Sequence, residues 1–167
     1  DQTEALALSD RVAVMSQGVI CQIATPREIY NRPATSFVAD FIGESNLLPG
    51  HVHGDQSSSV VSLDGIDLRS SESPPAWLGP RREAMVLLRP ERIRLAESTD
   101  TVNAFGAQVR EATYLGEDVH LVVELDSGLR LIAIIESRPD RDPAPGERVR
   151  LVVAPSDVHL IKSDHSP

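Results

Sequence analysis

The sequence predicts a mainly β protein, a small sandwich or partly open barrel preceded by a short segment that mixes helix and strand. Two observations support this fold class. Many short runs rich in Val, Ile and Leu are separated by Gly, Pro and Ser, as expected of short strands joined by turns. Helical patterns are confined to about the first 44 residues. Small β modules of both types are built in this way.

Length, charge and cysteine content limit the classes of protein to which this chain can belong. The chain has 167 residues and a net charge of -9, with 41% hydrophobic residues, which suits one domain or one domain plus an appendage. No run approaches the roughly 20 apolar residues of a membrane-spanning helix, and we expect a soluble chain. The single cysteine, Cys21, cannot form an intramolecular disulfide and suits a reducing cytosol. The acidity is spread along the chain, so we expect no nucleic-acid partner.

The first 44 residues contain helix and hairpin signals. Residues 1–8 have a helical pattern, and two Val- and Ile-rich runs at 11–15 and 19–23 flank a turn at Gly18, which predicts a hairpin. Thr25-Pro26-Arg27-Glu28 is a capping box that starts a helix, and Pro33 limits this helix to about two turns.

A second short helix follows. Its apolar residues recur with helical spacing and form one face, which ends at Gly43: Phe37, Val38, Phe41 and Ile42. We treat this apolar face as a candidate for packing between domains or between subunits, with ordinary core packing as the alternative.

Strand patterns dominate from about residue 46. The clearest hairpin joins runs at 121–125 and 129–135 through Asp126-Ser127-Gly128. Further strands are predicted at 48–52, 60–63, 66–68, 84–89, 103–113 and 148–153. The proline-containing stretches 70–83 and 137–146 predict surface loops, and residues 163–167 a frayed tail.

No motif for catalysis is present. The sequence lacks the phosphate-binding pattern G-x-x-x-x-G-K-[ST], and its only lysine is Lys162. The patterns G-x-G-x-x-G, G-x-S-x-G and H-E-x-x-H are also missing. We therefore expect no catalytic, cofactor-binding or metal-binding residues in this chain.

Three weaker candidates for chemistry have simple structural explanations. His51 and His53 would share one face of a strand, a spacing that can hold a metal, but no third ligand is visible and two solvated histidines are the preferred interpretation. Cys21 fits a small core residue better than a reactive thiol. Glu117-Asp118, after Gly116, fits a solvated turn better than an acid and base pair.

Several motifs in order resemble one family, the ATP-binding subunits of bacterial ABC importers. The opening Asp1 to Met15 resembles the segment after the family's switch histidine. The resemblance continues through Thr25-Pro26-Arg27-Glu28-Ile29-Tyr30 and Phe37-Val38-Ala39-Asp40-Phe41-Ile42-Gly43. Leu88-Arg89-Pro90-Glu91, Tyr114-Leu115-Gly116 and Ala154-Pro155-Ser156-Asp157-Val158 resemble the TOBE domain, an oligonucleotide-binding-like β module.

The resemblance implies a division of the chain and an ATPase parent. Residues 1–44 would be the remnant of a nucleotide-binding domain, 45–162 a TOBE-type regulatory β domain and 163–167 a tail. The intact subunit would use ATP and Mg²⁺, but Walker A, signature, Walker B and switch histidine are absent here, so this chain alone should not hydrolyse ATP. Asp1 and Gln2 would lie nearest the missing histidine, or simply begin a helix.

The resemblance also implies partners and a cargo. The intact subunit would form a homodimer, bind the membrane-spanning permease subunits and lie in the cytoplasm on the inner face of the membrane. The motifs look closest to importers of spermidine and putrescine, with sugar, ferric-iron and glycerol-phosphate importers as alternatives. Arg89 and Glu91 are candidates for fixing a tight corner, or for a contact between domains or across the dimer. A domain that senses an oxyanion or metabolite is the competing hypothesis.

Overall fold

A hairpin and two short helices come first. The computed structural model describes residues 6–54 and 58–162, and residues 6–8 are helical. Strands β1 (Val12–Ser16) and β2 (Val19–Ala24) pair antiparallel. Gln17 and Gly18 have φ angles of 50° and 80°, the positive values of a two-residue hairpin turn. The predicted hairpin is confirmed.

Helices α1 (Pro26–Asn31) and α2 (Ser36–Ile42) begin where the sequence placed them. The capping box of α1 is complete, because the Glu28 amide donates to Thr25 Oγ1 and the Thr25 amide donates to Glu28 Oε2 at 3.0 Å. Thr35 caps α2 by accepting from the amide of Val38 at 3.4 Å. These caps fix the directions in which both helices leave the hairpin.

Ten strands follow among the described residues. They are β3 (Asn46–Gly54), β4 (Ser59–Leu63), β5 (Ile66–Ser70), β6 (Glu83–Leu88), β7 (Ile93–Leu95), β8 (Ala104–Leu115), β9 (Asp118–Glu124), β10 (Arg130–Glu136), β11 (Arg148–Val153) and β12 (His159–Ile161).

These strands form two five-stranded antiparallel sheets. One has the order β12-β6-β3-β4-β5 and the other the order β10-β9-β8-β11-β7. In the second sheet the edge strands β10 and β7 contact each other, so that sheet is nearly closed into a barrel. The predicted mainly β fold, an oligonucleotide-binding-like module preceded by a short helix and strand segment, is confirmed.

The main core lies between the two sheets. Residues alternate between buried and partly exposed along β9 and β10, as the hairpin pattern predicts. A second, smaller cluster joins β1 to the helices through Val14, Ile29, Val38 and Ile42. A third cluster, of Ala39, Leu87 and Ile161, packs α2 on the outer face of the first sheet. The helices are therefore attached to the sheets by apolar contacts.

The sequence analysis missed β7 and β12, and several predicted strand ends are displaced by one to three residues in the structure. Strands β7 and β12 have only three residues each, and each follows one turn of 3-10 helix that starts with a proline, Pro90–Arg92 or Pro155–Asp157. The strand predicted at 84–89 ends at Leu88. Arg89 keeps an extended backbone but caps the proline turn, which ends the pairing.

Candidate functional site at the junction of helices and sheets

Arg89 lies at the centre of the contact between the helices and the β module. It directly follows β6, which brings its side chain beneath α2, and only 3% of its surface is exposed. Nη1 donates to the carbonyl oxygens of Ala39, Gly43 and Glu44 at 3.1–3.2 Å. Nη2 donates to the carbonyl of Tyr30 at 3.0 Å. One side chain thus binds the ends of both helices.

The chemistry of this contact suits a cation. The last carbonyls of a helix have no partner within the helix and carry a partial negative charge, so a guanidinium at the C-terminus of α2 is favourable. Burial nevertheless lowers the pKa of Arg89. Nε is buried and has no hydrogen-bond partner among the described residues. The carbonyl oxygens therefore supply most of the compensation for burying this charge.

Tyr30 and Glu91 complete the site. The guanidinium carbon of Arg89 lies 4.3 Å from the centroid of the Tyr30 ring, a cation–π distance. The Tyr30 hydroxyl donates to Glu91 Oε1 at 2.5 Å. Burial, together with the hydrogen bond to Glu91 and its negative charge, raises the pKa of Tyr30 to about 12. We call Tyr30, Arg89 and Glu91, with the carbonyls that Arg89 binds, the junction.

The apolar face predicted for α2 divides between two environments. Val38 and Ile42 are buried in the small cluster, and Phe37 packs partly against it. Phe41 is 44% exposed, and its ring stacks on that of Phe37 with centroids 5.8 Å apart. Asp1 and Gln2, predicted to lie near the missing switch histidine, fall outside the described residues.

A second polar contact lies within the β module, where the helical segment approaches β12. His159 Nδ1 and Glu72 Oε1 are 2.8 Å apart, and the Leu160 amide donates to Glu72 Oε2. Burial would raise the pKa of Glu72, but these two hydrogen bonds hold it below its ordinary value. With Arg32 and Pro33 from the helical segment, these residues line a cleft of about 250 Å³.

The remaining sequence candidates lie apart from the junction. Cys21 is half-buried against the small cluster. Glu117 and Asp118 are exposed at the β8–β9 turn. His51 and His53 are exposed on β3 with their rings in contact. Over residues 6–54 and 58–162, no three His, Cys, Asp or Glu side chains gather into a cluster that could hold a metal ion.

Sequence reasoning missed Tyr30 and the helix carbonyls as parts of the site. Tyr30 was visible only as a member of a motif, and its hydroxyl meets Glu91 from 61 residues away. Every residue has a backbone carbonyl, so the sequence does not show which carbonyls bind a side chain. Two sequence features hinted that the end of α2 lies near residue 89. One is an arginine directly before a proline, and the other is a helix that ends at a glycine.

These features define a class of protein. It has an antiparallel β module of the oligonucleotide-binding type, and a buried arginine joins this module by hydrogen bonds to the end of a helical segment. Residues 86–161 match the TOBE domain family. No helix in the described part of the chain has the length and apolar character to cross a bilayer.

Relatives over nearly the whole chain are ATP-binding subunits of importers. The chain is 40% identical over 153 residues to the spermidine/putrescine import ATP-binding protein PotA of Nostoc sp., covering 85% of this chain and 39% of the relative. It is also 40% identical over 166 residues to PotA of Ruegeria pomeroyi, covering 98% of this chain and 44% of the relative. The resemblance to the C-terminal part of bacterial ABC importer ATP-binding subunits is thereby confirmed.

A solved structure shares the fold. The cytoplasmic molybdate-binding protein ModG superimposes with a TM-score of 0.57 over 70% of this chain and 95% of its own, at 13% identity. At that identity the likeness concerns the fold alone. The chain spans about two fifths of the length of the curated relatives named above.

Proposed function

We propose that the chain is the regulatory and dimer-forming C-terminal portion of the ATP-hydrolysing subunit of an importer for polyamines such as spermidine and putrescine. The TOBE match and the names of the relatives support this proposal. In it, residues 1–44 are the remnant of the nucleotide-binding domain, 45–162 the regulatory module and 163–167 a tail. The intact subunit binds the permease subunits and lies in the cytoplasm on the inner face of the membrane.

The observation that carries the proposal is the set of hydrogen bonds from Arg89 to the carbonyls of the two helices. A regulatory module can act on an ATPase only if movement of one is passed to the other. Arg89 fixes the module to the carbonyls of Tyr30, Ala39, Gly43 and Glu44, with no solvent between them. Such a contact moves the helices and β6 as one body, because any separation would leave a buried charge unpaired.

A second contact between subunits serves the ATPase cycle. When two ATPase halves are held together through their regulatory modules, the halves can separate after hydrolysis without diffusing apart, since their effective concentration stays high. The exposed ring of Phe41 is the α2 residue we assign to contact between subunits, while Val38 and Ile42 act within one subunit.

ATP and Mg²⁺ belong to the parent subunit. The residues of this chain do not fit them, because the sequence has no phosphate-binding loop and its one lysine, Lys162, follows β12. The carbonyl of Lys162 accepts from the amide of Ser36, at the start of α2, so the backbone of this residue has a structural role. No step of hydrolysis is assigned to this chain.

The first experiment compares the intact gene product with this chain. ATP hydrolysis with Mg²⁺ and uptake of labelled spermidine are measured for the intact protein, and hydrolysis for the chain. We expect activity only in the intact protein and uptake of spermidine in preference to maltose, ferric iron or glycerol phosphate. Preference for one of the other cargoes would retain the class of protein and reject the polyamine assignment. Hydrolysis by the chain alone would reject the class.

Matched arginine variants test the coupling. In the intact protein, Arg89→Gln should lower uptake more than hydrolysis, because the module no longer follows the helices. Arg92→Gln is the control, since Arg92 is about half exposed and lies 3.9 Å from Asp157. Equal behaviour of both variants would reject the coupling role.

Two solution measurements test the dimer and the competing sensor hypothesis. Sedimentation of the intact protein should show a dimer that Phe41→Ser weakens, and a monomer at high concentration would contradict the proposal.

Thermal shifts with phosphate, sulfate, molybdate and spermidine distinguish a regulatory module from a ligand sensor. A specific shift with one oxyanion would favour a sensor.

A further inference from the structure

Two histidines face solvent side by side on the first sheet. His51 and His53 alternate along β3, so both side chains point to the outer face. Their ring centroids are 4.7 Å apart, with one ring edge turned toward the other at 63°. Neither imidazole forms a hydrogen bond with another described residue. The sequence predicts both imidazoles on one face of a strand, with two solvated histidines as the preferred interpretation, and in the structure their rings are in contact.

The backbone beneath the pair is held firmly. Val52, between the two histidines, is fully buried and pairs with Val61 of β4. Its amide donates to the carbonyl of Arg82, and its own carbonyl accepts from Arg82 Nε at 2.6 Å. Both imidazoles therefore project from a fixed base, which reduces the entropy that a ligand must overcome in ordering them.

The geometry suits chelation by two imidazoles. A metal bound to two ring nitrogens at about 2.0–2.1 Å, with its bonds near a right angle, requires those nitrogens about 3 Å apart. Rings with centroids 4.7 Å apart reach this separation by rotation about the terminal torsion, which is broad for histidine.

The surrounding charges also favour a cation. Glu83 lies directly opposite His51 across the β3–β6 ladder, on the same face. The Arg82 guanidinium donates to the carbonyls of Val52 and Gly54, whose partial negative charges offset part of its repulsion of a bound cation. The net charge of the chain, -9, adds a long-range attraction.

We propose that His51 and His53 together bind one late first-row divalent cation, with water completing its coordination. Imidazole pairs bind Cu²⁺ most tightly, with Ni²⁺ and Zn²⁺ weaker, and leave Mg²⁺ in solution because Mg²⁺ prefers oxygen ligands. Two protein ligands make an open site, consistent with the absence of a cluster of three ligands in the described part of the chain.

Calorimetric titration with Cu²⁺, Zn²⁺ and Mg²⁺ tests the site, and amide NMR locates it. We expect one Cu²⁺ per chain, weaker binding of Zn²⁺, no heat from Mg²⁺, and paramagnetic broadening centred on residues 51–53. His51→Asn and His53→Asn should each weaken Cu²⁺ binding at least about tenfold, since even outer partners of metal ligands are worth that much.

Histidines elsewhere supply matched controls. His120→Asn, on β9 and half-buried beside Glu44, should bind Cu²⁺ like the unchanged protein. Unchanged affinity in both His51→Asn and His53→Asn would overturn the proposal. So would loss of binding in His165→Asn instead, broadening centred elsewhere, or no heat with millimolar Cu²⁺. Circular dichroism identifies any variant that is unfolded, and both positions are exposed enough for Asn to be tolerated.

Discussion

The side chain of Asn46 forms two hydrogen bonds with the backbone of Ile132, a residue in the opposite sheet. The Ile132 amide donates to Asn46 Oδ1 at 2.7 Å, and Asn46 Nδ2 donates to the Ile132 carbonyl at 2.8 Å. Because β10 is an edge strand, the carboxamide takes the place of a neighbouring strand. Asn103 binds the amide and carbonyl of Arg69 on edge strand β5 in the same way, at 2.7 and 2.8 Å.

Replacing Asn46 should destabilise the fold. Nδ2 also donates to the carbonyl of Leu88, so Asn46→Ala leaves three backbone groups without their partner. We expect a loss of about 1–3 kcal/mol in the free energy of unfolding, measured by urea denaturation. Asn46→Asp should cost more, because its carboxylate faces two carbonyl oxygens. Asn31→Ala, at the end of α1, is the control, and an equal loss there would contradict the role of Asn46.

Replacing Gly50 by a larger residue should destabilise the fold. A Cβ at this position would lie 2.6 Å from Val61 Cγ1 and 2.9 Å from Leu63 Cδ2, inside the core between the sheets. Gly50→Ala should therefore lower the free energy of unfolding by about 1–3 kcal/mol. Gly79→Ala is the matched control, since nothing lies within 4 Å of its added Cβ. Equal urea midpoints for the two variants would show that Val61 and Leu63 shift at no cost, and would contradict the prediction.

Asp100 should contribute to stability in acid. Its carboxylate accepts two hydrogen bonds from Arg94 and one from the Glu97 amide, which lower its pKa from 3.8 to about 2. A lowered pKa gives stability that is present above pH 3.8 and is lost as the pH falls through about 2. Asp100→Asn should flatten the fall of the urea midpoint in this window. Asp140→Asn, exposed in a loop, should leave the fall unchanged.

Tyr30 should contribute to the pH dependence of stability at alkaline pH. Its pKa is raised from 10.0 to about 12, so the unfolded chain loses this proton first and stability falls as the pH rises through that window. Glu91→Gln removes the negative charge beside the hydroxyl and should lower the pKa of Tyr30. Phenolate absorbance in a Tyr114→Phe background measures it, since Tyr30 is then the only tyrosine. An unchanged titration would exclude Glu91 as a cause.

Sequence patterns predicted the elements whose signals are local. The hairpin of β9 and β10 was predictable because alternation and the turn at Asp126-Ser127-Gly128 lie in one continuous stretch. Strands β7 and β12 were not, since three residues cannot display a period and their partners are distant in sequence. Burial of Leu87 also breaks the alternation in β6, because α2 covers that part of the outer face.

The contacts that join the parts were harder to predict for the same reason. Arg89 and Glu91 are predicted to fix a corner or to form a contact between domains or across the dimer, which stays a prediction. Their common contact with Tyr30 depends on a fold that brings residue 30 to residue 91. Asn46 gave no local signal, since its partner Ile132 is 86 residues away. Only the assembled sheets create such pairs.

The bridge between Thr35 and Lys162 has a consequence for how the β module could be exchanged. These two residues pair in parallel, so the chain enters and leaves the module at neighbouring points. A segment with adjacent ends can be replaced as a unit, because the chain enters and leaves it at neighbouring points. Chimeras that swap residues 36–161 between importer subunits need to preserve this bridge, the α2 contacts and the contacts of Arg89 and Glu91 with Tyr30.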